Sequence, residues 1–280
     1  MKIINGGQAA GEIKARLAEE NRRTGLQPCL AVILIGDQAD SSLYVALKEK
    51  AVQAIGGRFR LERLDEAASS EEVLEIIEVL NQDPIVDGII LQLPLPTQLR
   101  AEQDTFLAAI SPAKDVDGFH PQNRGLLIGG QPLFISCAAL ACLQVIEEQF
   151  PDLIGKRALL AGDSFDLILP LTMLLLQRGV RVAVHPSWHD TSLEDYDLAV
   201  IEKGQPHAIR EIDYDGPVLL IDAGFYMIGD RTVGNIDGTS LAEHPGWLLP
   251  VPGGLGPLLI AKLMDNLTRA AGSRLRCKNL

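Results

Sequence analysis

Apolar runs with the length of buried strands alternate with helix-period segments along almost the whole chain. Cys29 to Ile35 (CLAVILI) predicts a strand, followed by a loop over Gly36 to Asp40 and a helix from about Ser41 to Ile55. Gly56–Gly57 stops that helix in the manner of a C-cap. Phe59 to Leu64 predicts the next strand, and Ser70 supplies an N-cap for a helix over Glu71 to Gln82. Asp87 to Leu93 (DGIILQL) predicts a third strand, broken by Pro94 and Pro96. Strand–helix–strand repetition of this kind implies a parallel sheet with crossover helices.

Around residue 137 the pattern restarts. A helix over Ala139 to Gln149 leads through Pro151 to a strand at Arg157 to Ala161, then to a helix over Asp166 to Arg178. Pro170 stands near the first turn of that helix and Gly179 at its end. Strands follow at Arg181 to His185, Asp197 to Ile201 and Pro217 to Asp222, with a small hairpin around Gly229–Asp230. The last helix, about Pro257 to Ala271, follows Pro250-Val251-Pro252-Gly253-Gly254. The expected fold class is therefore α/β, with two α/β domains flanking a cleft and the second Rossmann-like. The expected boundaries are 1–137, with a C-terminal helix over 257–280 packing back onto it, and 138–256. A cleft between two such domains is a natural ligand site.

Composition narrows the function classes. The chain has 280 residues, 47% of them hydrophobic and 22% charged, which excludes wholesale disorder. Lys and Arg total 25 against 37 Asp and Glu, a net charge of −12. That sign disfavours nucleic-acid and anionic membrane partners, although a pocket can still carry local positive charge. No apolar run reaches the roughly 20 residues that a bilayer requires, and the N-terminus lacks a signal-peptide core. Four cysteines show no CxxC spacing, and Cys29, Cys137 and Cys142 sit in apolar contexts. Free buried thiols fit a reducing, cytoplasmic setting. His185 and His189 are spaced i, i+4, but Pro186 opposes a helix there, so no metal site is expected.

Three segments carry candidate chemistry. Ser41, Tyr44 and Lys48 share one face of the first predicted helix, beside an apolar stripe of Leu43, Leu47 and Ile55. A lysine on a helix is ordinarily a solvated residue. This one follows the C-terminal end of a strand, where open α/β sheets bind ligands. Burial there would lower its pKa into a range useful for acid–base chemistry, with Tyr44 one turn away as a hydrogen-bond partner. Gln92 is a polar amide inside an apolar strand, between Leu91 and Leu93, and needs a partner. The aspartates of Pro112 to Pro121 (PAKDVDGFHP) have an ordinary reading as turn residues.

Together these segments resemble the bifunctional methylenetetrahydrofolate dehydrogenase/methenyltetrahydrofolate cyclohydrolase family, the FolD type. The resemblance runs over nearly the whole chain in matching order. It rests on Tyr44-x-x-x-Lys48, Gln92-Leu93-Pro94-Leu95-Pro96, Lys114-Asp115-Val116-Asp117-Gly118-Phe119-His120-Pro121 and Pro250-Val251-Pro252-Gly253-Gly254-Leu255-Gly256-Pro257. It implies that 1–137 is a folate-binding catalytic domain and 138–256 a nucleotide-binding one. It implies a tetrahydrofolate derivative as substrate and homodimerisation. Lys48 would be central to hydrolysis of 5,10-methenyl- to 10-formyltetrahydrofolate, with Tyr44, Gln92 and Asp117 as the other catalytic-site residues. Asp117 would bind the amino edge of the pterin. Ser41, Leu91, Leu93 and the stretch Pro252, Gly253, Gly254, Leu255 and Gly256 would line the folate site.

The second half departs from the family pattern. After its first strand the family usually reads Gly-Arg-Ser, three further positions, then Gly-x-Pro. Here the stretch is Gly162-Asp163-Ser164-Phe165-Asp166-Leu167-Ile168-Leu169-Pro170. Asp163 replaces the arginine that would pair with the 2′-phosphate of NADP. A like-charge contact of that kind costs roughly 4 kcal/mol at about 4 Å near a surface. Ile168 replaces a glycine where the backbone must approach the pyrophosphate, and Asp166 adds negative charge. Pro-Cys-Thr-Pro becomes Ser136-Cys137-Ala138-Ala139, Glu202–Lys203 precede Gly204 where small residues are usual, and Leu258–Leu259 replace Met–Thr. The remaining family positions for a nucleotide are Gly162, Asp163, Ser164, Ser187 and Phe225. The expectation is a cyclohydrolase in which these departures argue against NADP, leaving NAD or no nucleotide. Two alternatives stay open: a fully bifunctional enzyme, and a folate-binding protein without turnover.

Overall fold

The strand Cys29–Ile35 is buried at all seven positions, because it is the middle strand of a three-stranded parallel sheet. Its neighbours are Arg58–Leu64 on one side and Gly88–Leu91 on the other. A parallel strand covered on both faces reads as an uninterrupted apolar run, which is why it was visible in the sequence. The computed structural model describes residues 1–189, 192–212 and 216–278. Residues 279–280, expected at the end of the last helix, lie outside the described residues.

The chain divides into two units, each α/β. One comprises Gly11–Cys137 and Ile260–Leu280, the other Met1–Ala10 and Ala138–Leu259. In the first unit the three-stranded sheet is joined by helices Ala39–Ala54 and Ser70–Gln82. The C-terminal ends of Cys29–Ile35 and Gly88–Leu91 are in register, with Ile33 paired to Leu91. These ends launch the Ala39 helix and the Gln92 segment respectively, and so fix the spatial relation of their side chains. Glycine 88 is required by packing: a Cβ there would come within 2.7 Å of Val116 and 2.9 Å of Leu267.

The second unit is built on a six-stranded sheet. Its order is Lys2–Ile3, Gly246–Leu249, Val218–Asp222, Leu198–Ile201, Arg157–Ala161, Arg181–His185, and every pairing is parallel. This is the Rossmann-like arrangement expected. The core of one face gathers Leu159, Ala199, Ile201, Leu220 and Leu248. The predicted hairpin is present as Tyr226–Ile228 and Arg231–Val233 around Gly229.

Four local expectations are corrected. The strand before Gln92 ends at Leu91, so Gln92 lies just past it, although its N–H still donates to the Ile33 carbonyl at 2.9 Å. Asp40 belongs to the helix Ala39–Ala54 and not to the preceding loop. The cap of helix Ser70–Gln82 is Ser69, which forms a reciprocal capping box with Glu72; the Ser70 hydroxyl instead donates to Glu102 at 2.6 Å. The helix expected over Asp166 to Arg178 is shorter, Ile168–Leu176. The helices Gly6–Thr24 and Pro121–Ile128 were not among the elements read from the sequence.

Removing the Ser69 cap leaves helical N–H groups without an acceptor. Ser69→Ala is expected to lower stability by about 1 kcal/mol. Urea unfolding checks this as a lower midpoint with an unchanged m-value.

Candidate functional site

The helix Ala39–Ala54 buries an unusual face. Ser41, Val45, Lys48 and Val52 are buried, while Leu43 and Leu47, read as an apolar stripe, are exposed. Two polar residues thus occupy inward positions that a purely structural helix would fill with aliphatic side chains. Tyr44 is half-exposed between them. Ile55, the third residue of that predicted stripe, is fully buried.

Lys48 is 7% exposed, and its Nζ donates to Gln92 Oε1 at 2.8 Å. The Gln92 amide is held in turn by donating from Nε2 to the Leu93 carbonyl at 2.6 Å. Burial lowers the pKa of the Lys48 ammonium below the usual lysine range, while the charge of Asp117 acts in the opposite sense. The same burial drives the Cys137 thiol well above its ordinary value, so it stays neutral. An amine made easier to neutralise, with its nitrogen fixed by an amide oxygen, is equipped to accept and return a proton.

Asp117 is presented by a tight turn. Asp115, 2% exposed, accepts from the Phe119 and His120 N–H groups and from Asn123 Nδ2 at 2.8–2.9 Å. Burial pushes its carboxyl up to about 6 despite these donors. Gly118 has φ +74°, and a Cβ there would lie 2.5 Å from the Ile135 carbonyl carbon and 2.6 Å from the Ser136 nitrogen. The glycine therefore allows the backbone of the Asp117 turn to press against Ile135–Cys137. Of the two aspartates, Asp115 is the one that organises the turn. Lys114 and His120 are structural too: Lys114 Nζ donates to the carbonyls of Leu80, Asn81 and Asp83, and His120 Nδ1 accepts from Gln122 N.

The structure gathers Ser41, Lys48, Gln92 and Asp117 in one unit, with Leu91 buried at the strand end and Leu93 partly buried beside Gln92. Cys137 was read only as a buried thiol, and its electrostatic coupling to Lys48 had no local sequence signal. Asn266 was missed altogether. Pro252, Gly253, Gly254, Leu255 and Gly256 lie in the other unit. Leu255 and Gly256 open the helix Leu255–Lys278 and do not form a loop. Gly254 makes a close backbone approach, since a Cβ on Gly6 would fall 1.9 Å from its carbonyl oxygen.

In the second unit, Gly162 follows strand Arg157–Ala161 and its N–H donates to the His185 carbonyl at 2.8 Å. A Cβ at Gly162 would sit 2.3 Å from Glu202 Oε2 and 2.8 Å from Ile168 Cγ1, so both side chains pack against the glycine. Glu202 Oε2 accepts from the Ser164 N–H at 3.4 Å. The Ser164 hydroxyl accepts from the Leu167 and Ile168 N–H groups, each at 3.2 Å, at the start of the next helix. Asp163 is paired with Lys203. Burial pushes the Asp166 and Glu202 carboxyls up. Ser187 Oγ is 2.8 Å from His189 Nε2, and Phe225 is exposed. The loop is thus supplied with acceptors and charge partners from the protein itself. No group of three or more His, Cys, Asp or Glu suited to a metal occurs among the described residues.

Comparison with known proteins agrees in both halves. Residues 4–117 match the family described as tetrahydrofolate dehydrogenase/cyclohydrolase, catalytic domain, and residues 136–275 its NAD(P)-binding domain. The chain is 52% identical over 274 residues to a protein named Bifunctional protein FolD 1 from Syntrophomonas wolfei, covering 97% of this chain and 99% of that one. A crystal structure of the bifunctional FolD enzyme from Campylobacter jejuni superposes with a TM-score of 0.91 at 34% identity, over 98% and 99% of the two chains. A Trypanosoma brucei FolD structure, complexed with NADP and an inhibitor, gives 0.89 at 29% identity over 98% of each.

Because Gly118 combines a positive φ with backbone contact, Gly118→Ala is expected to cost about 2 kcal/mol or more. The measurable outcome is a lower melting temperature together with a displaced Asp117 turn in the variant's crystal structure.

Proposed function

We propose a function from one premise: the chain belongs to the tetrahydrofolate dehydrogenase/cyclohydrolase family. The protein is an enzyme of folate one-carbon metabolism, and its principal activity is hydrolysis of 5,10-methenyl- to 10-formyltetrahydrofolate. The observation that carries this reading is the buried Lys48, fixed at 2.8 Å by Gln92 and facing the charge of Asp117. Water adds to the cationic methenyl carbon and gives a proton to the neutral Lys48 amine, leaving a neutral tetrahedral carbon. The new hydroxyl then gives its proton to solvent, the one proton the hydrolysis releases, as the C–N5 bond breaks. N5 receives the proton held by the lysine, which returns to the neutral amine. Gln92 keeps the amine aimed throughout, and Asp117 supplies an acceptor for the amino edge of the pterin. Tyr44 and Ser41 flank the lysine on the same helix, with Leu91 and Leu93 bordering Gln92.

We further propose that this enzyme does not use NADP. The residues present do not fit the phosphates of that nucleotide. Glu202 already accepts from the Ser164 N–H, Ile168 packs against Gly162, and Asp163 stands where a cation is wanted for a 2′-phosphate. Lys203 pairs with Asp163 and offsets its charge, but the pair is exposed and adds no net positive charge for a 2′-phosphate. NAD lacks the 2′-phosphate but meets the same Glu202 and Ile168. A second reading, the bifunctional dehydrogenase/cyclohydrolase, is favoured by the match of residues 136–275 to the NAD(P)-binding domain and by the NADP complex of the T. brucei relative.

Lys48→Met is expected to reduce methenyltetrahydrofolate hydrolysis at least 100-fold, the usual share of a general acid–base group. Decay of substrate absorbance measures this, and an undiminished rate would remove Lys48 from the mechanism. The neutral amine is populated above the lowered lysine pKa. The wild-type rate should therefore rise with pH through that value and then level off. Lys48→Arg, charged throughout, should stay inactive across the range.

Calorimetric titration separates the two readings of the second unit. No saturable heat with NADP is expected. Saturable NADP binding together with oxidation of methylenetetrahydrofolate would establish the bifunctional reading instead.

A further inference from the structure

Asn266 lies in the helix Leu255–Lys278, about 130 residues beyond the segments it touches, and is 1% exposed. Its Nδ2 donates to the Val116 carbonyl at 2.9 Å and to the Ile135 carbonyl at 3.1 Å, and lies 3.6 Å from Cys137 Sγ. Its Oδ1 is buried with no hydrogen-bond partner among the described residues. An amide that leaves its acceptor unsatisfied gains its stabilisation entirely through its donor side. That donor side joins two strips of backbone, the one leading into Asp117 and the one ending at Cys137.

The Val116 carbonyl is the peptide group directly before Asp117, and it also accepts from Cys137 Sγ at 3.5 Å. On the other side of Asp117, Gly118 presses its backbone against Ile135 and Ser136. Asp117 is therefore tethered before and after to the same strip. One tether is the steric fit of Gly118, and the other is Asn266 with Cys137. The charged and titratable groups acting on Lys48 are Asp117 and Cys137, and both belong to this assembly.

We propose that Asn266 is a positioning residue: by binding the Val116 and Ile135 carbonyls together it sets the separation between the Asp117 carboxylate and the Lys48 ammonium. It touches neither group and acts through the turn. Losing the tether lets Asp117 relax away from Lys48, and an attraction that falls with distance then favours the lysine cation less. The proton affinity of Lys48 should fall in consequence, whether or not the proposed hydrolysis is correct.

The test reads the lysine directly. Lys48 is titrated by NMR in the intact protein with isotopically labelled lysine, in wild type, Asn266→Ala, Asn266→Ser, Thr268→Val and Asp117→Asn, and in Asn266→Ala combined with Asp117→Asn. Thr268 is buried on the same helix, and its hydroxyl makes no hydrogen bond among the described residues, so Thr268→Val reports general loosening of the helix. Asn266→Ser retains a donor in a smaller side chain and serves if the alanine variant fails to fold. The expected result is a lower Lys48 midpoint in the Asn266 variants, an unchanged one in Thr268→Val, and no further shift when Asn266→Ala is added to Asp117→Asn. An unmoved midpoint in the Asn266 variants would overturn the proposal, as would an equal shift in the Asp117→Asn background or in Thr268→Val. Because the midpoint is read without substrate, absence of hydrolysis by the wild type would fail only the functional reading.

Discussion

Desolvating an ammonium group carries a penalty of several kcal/mol unless the surroundings return it as hydrogen bonds and opposite charge. Lys48 is such a group, and the architecture of its unit supplies the return. The parallel sheet aligns the ends of Cys29–Ile35 and Gly88–Leu91, so that a helix leaving one and an amide leaving the other bring Nζ and Oε1 to 2.8 Å. The Asp115 turn then brings a carboxylate to bear on the same amine. The balance is left on the side of a weakened cation, which is the property that a reversible proton carrier requires.

The second unit solves the opposite problem. A glycine loop between a strand and a helix presents backbone N–H groups that in many Rossmann-like proteins await phosphate. Here Ser164 Oγ accepts from the Leu167 and Ile168 N–H groups, Glu202 Oε2 accepts from the Ser164 N–H, and Lys203 pairs with Asp163. One unit therefore holds a buried amine against an amide oxygen, while the loop of the other pairs several of its N–H and charged groups within the protein. Their shared family membership does not require the two halves to be under the same functional demand.

Much of the fold was legible because its central strands are buried on both faces. Cys29–Ile35 and Arg157–Ala161 were read to the residue, and the α/β class followed from the alternation. Elements with a weak apolar period were not legible, the short helix Pro121–Ile128 among them. At the site, Lys48 and Gln92 stood out as polar residues in apolar settings, and the structure pairs them. The roles within Lys114 to Pro121 could not be separated in the sequence, because Asp115 and Asp117 look alike until the backbone donors to Asp115 are located. Asn266 had no signal, since its partners are remote and it resembles any amide on a helix. Glu202 was visible as an intrusion among small residues, but its bond to Ser164 depends on two loops meeting.

Asn266 is not the only link from the last helix to the early part of the chain. Arg274 pairs with the buried Asp87 and donates to the Pro84 carbonyl, and Leu267 packs where Gly88 leaves room. The Val116 and Asn266 partners are separated by 150 residues. During synthesis the residues of the lysine-bearing sheet leave the ribosome long before the helix that completes their core. Between those moments residues Ala138–Leu259 of the second unit must be translated. The first unit is thus committed to a late closing step, in which long-range contacts form last and an exposed apolar flank has to be tolerated until they do.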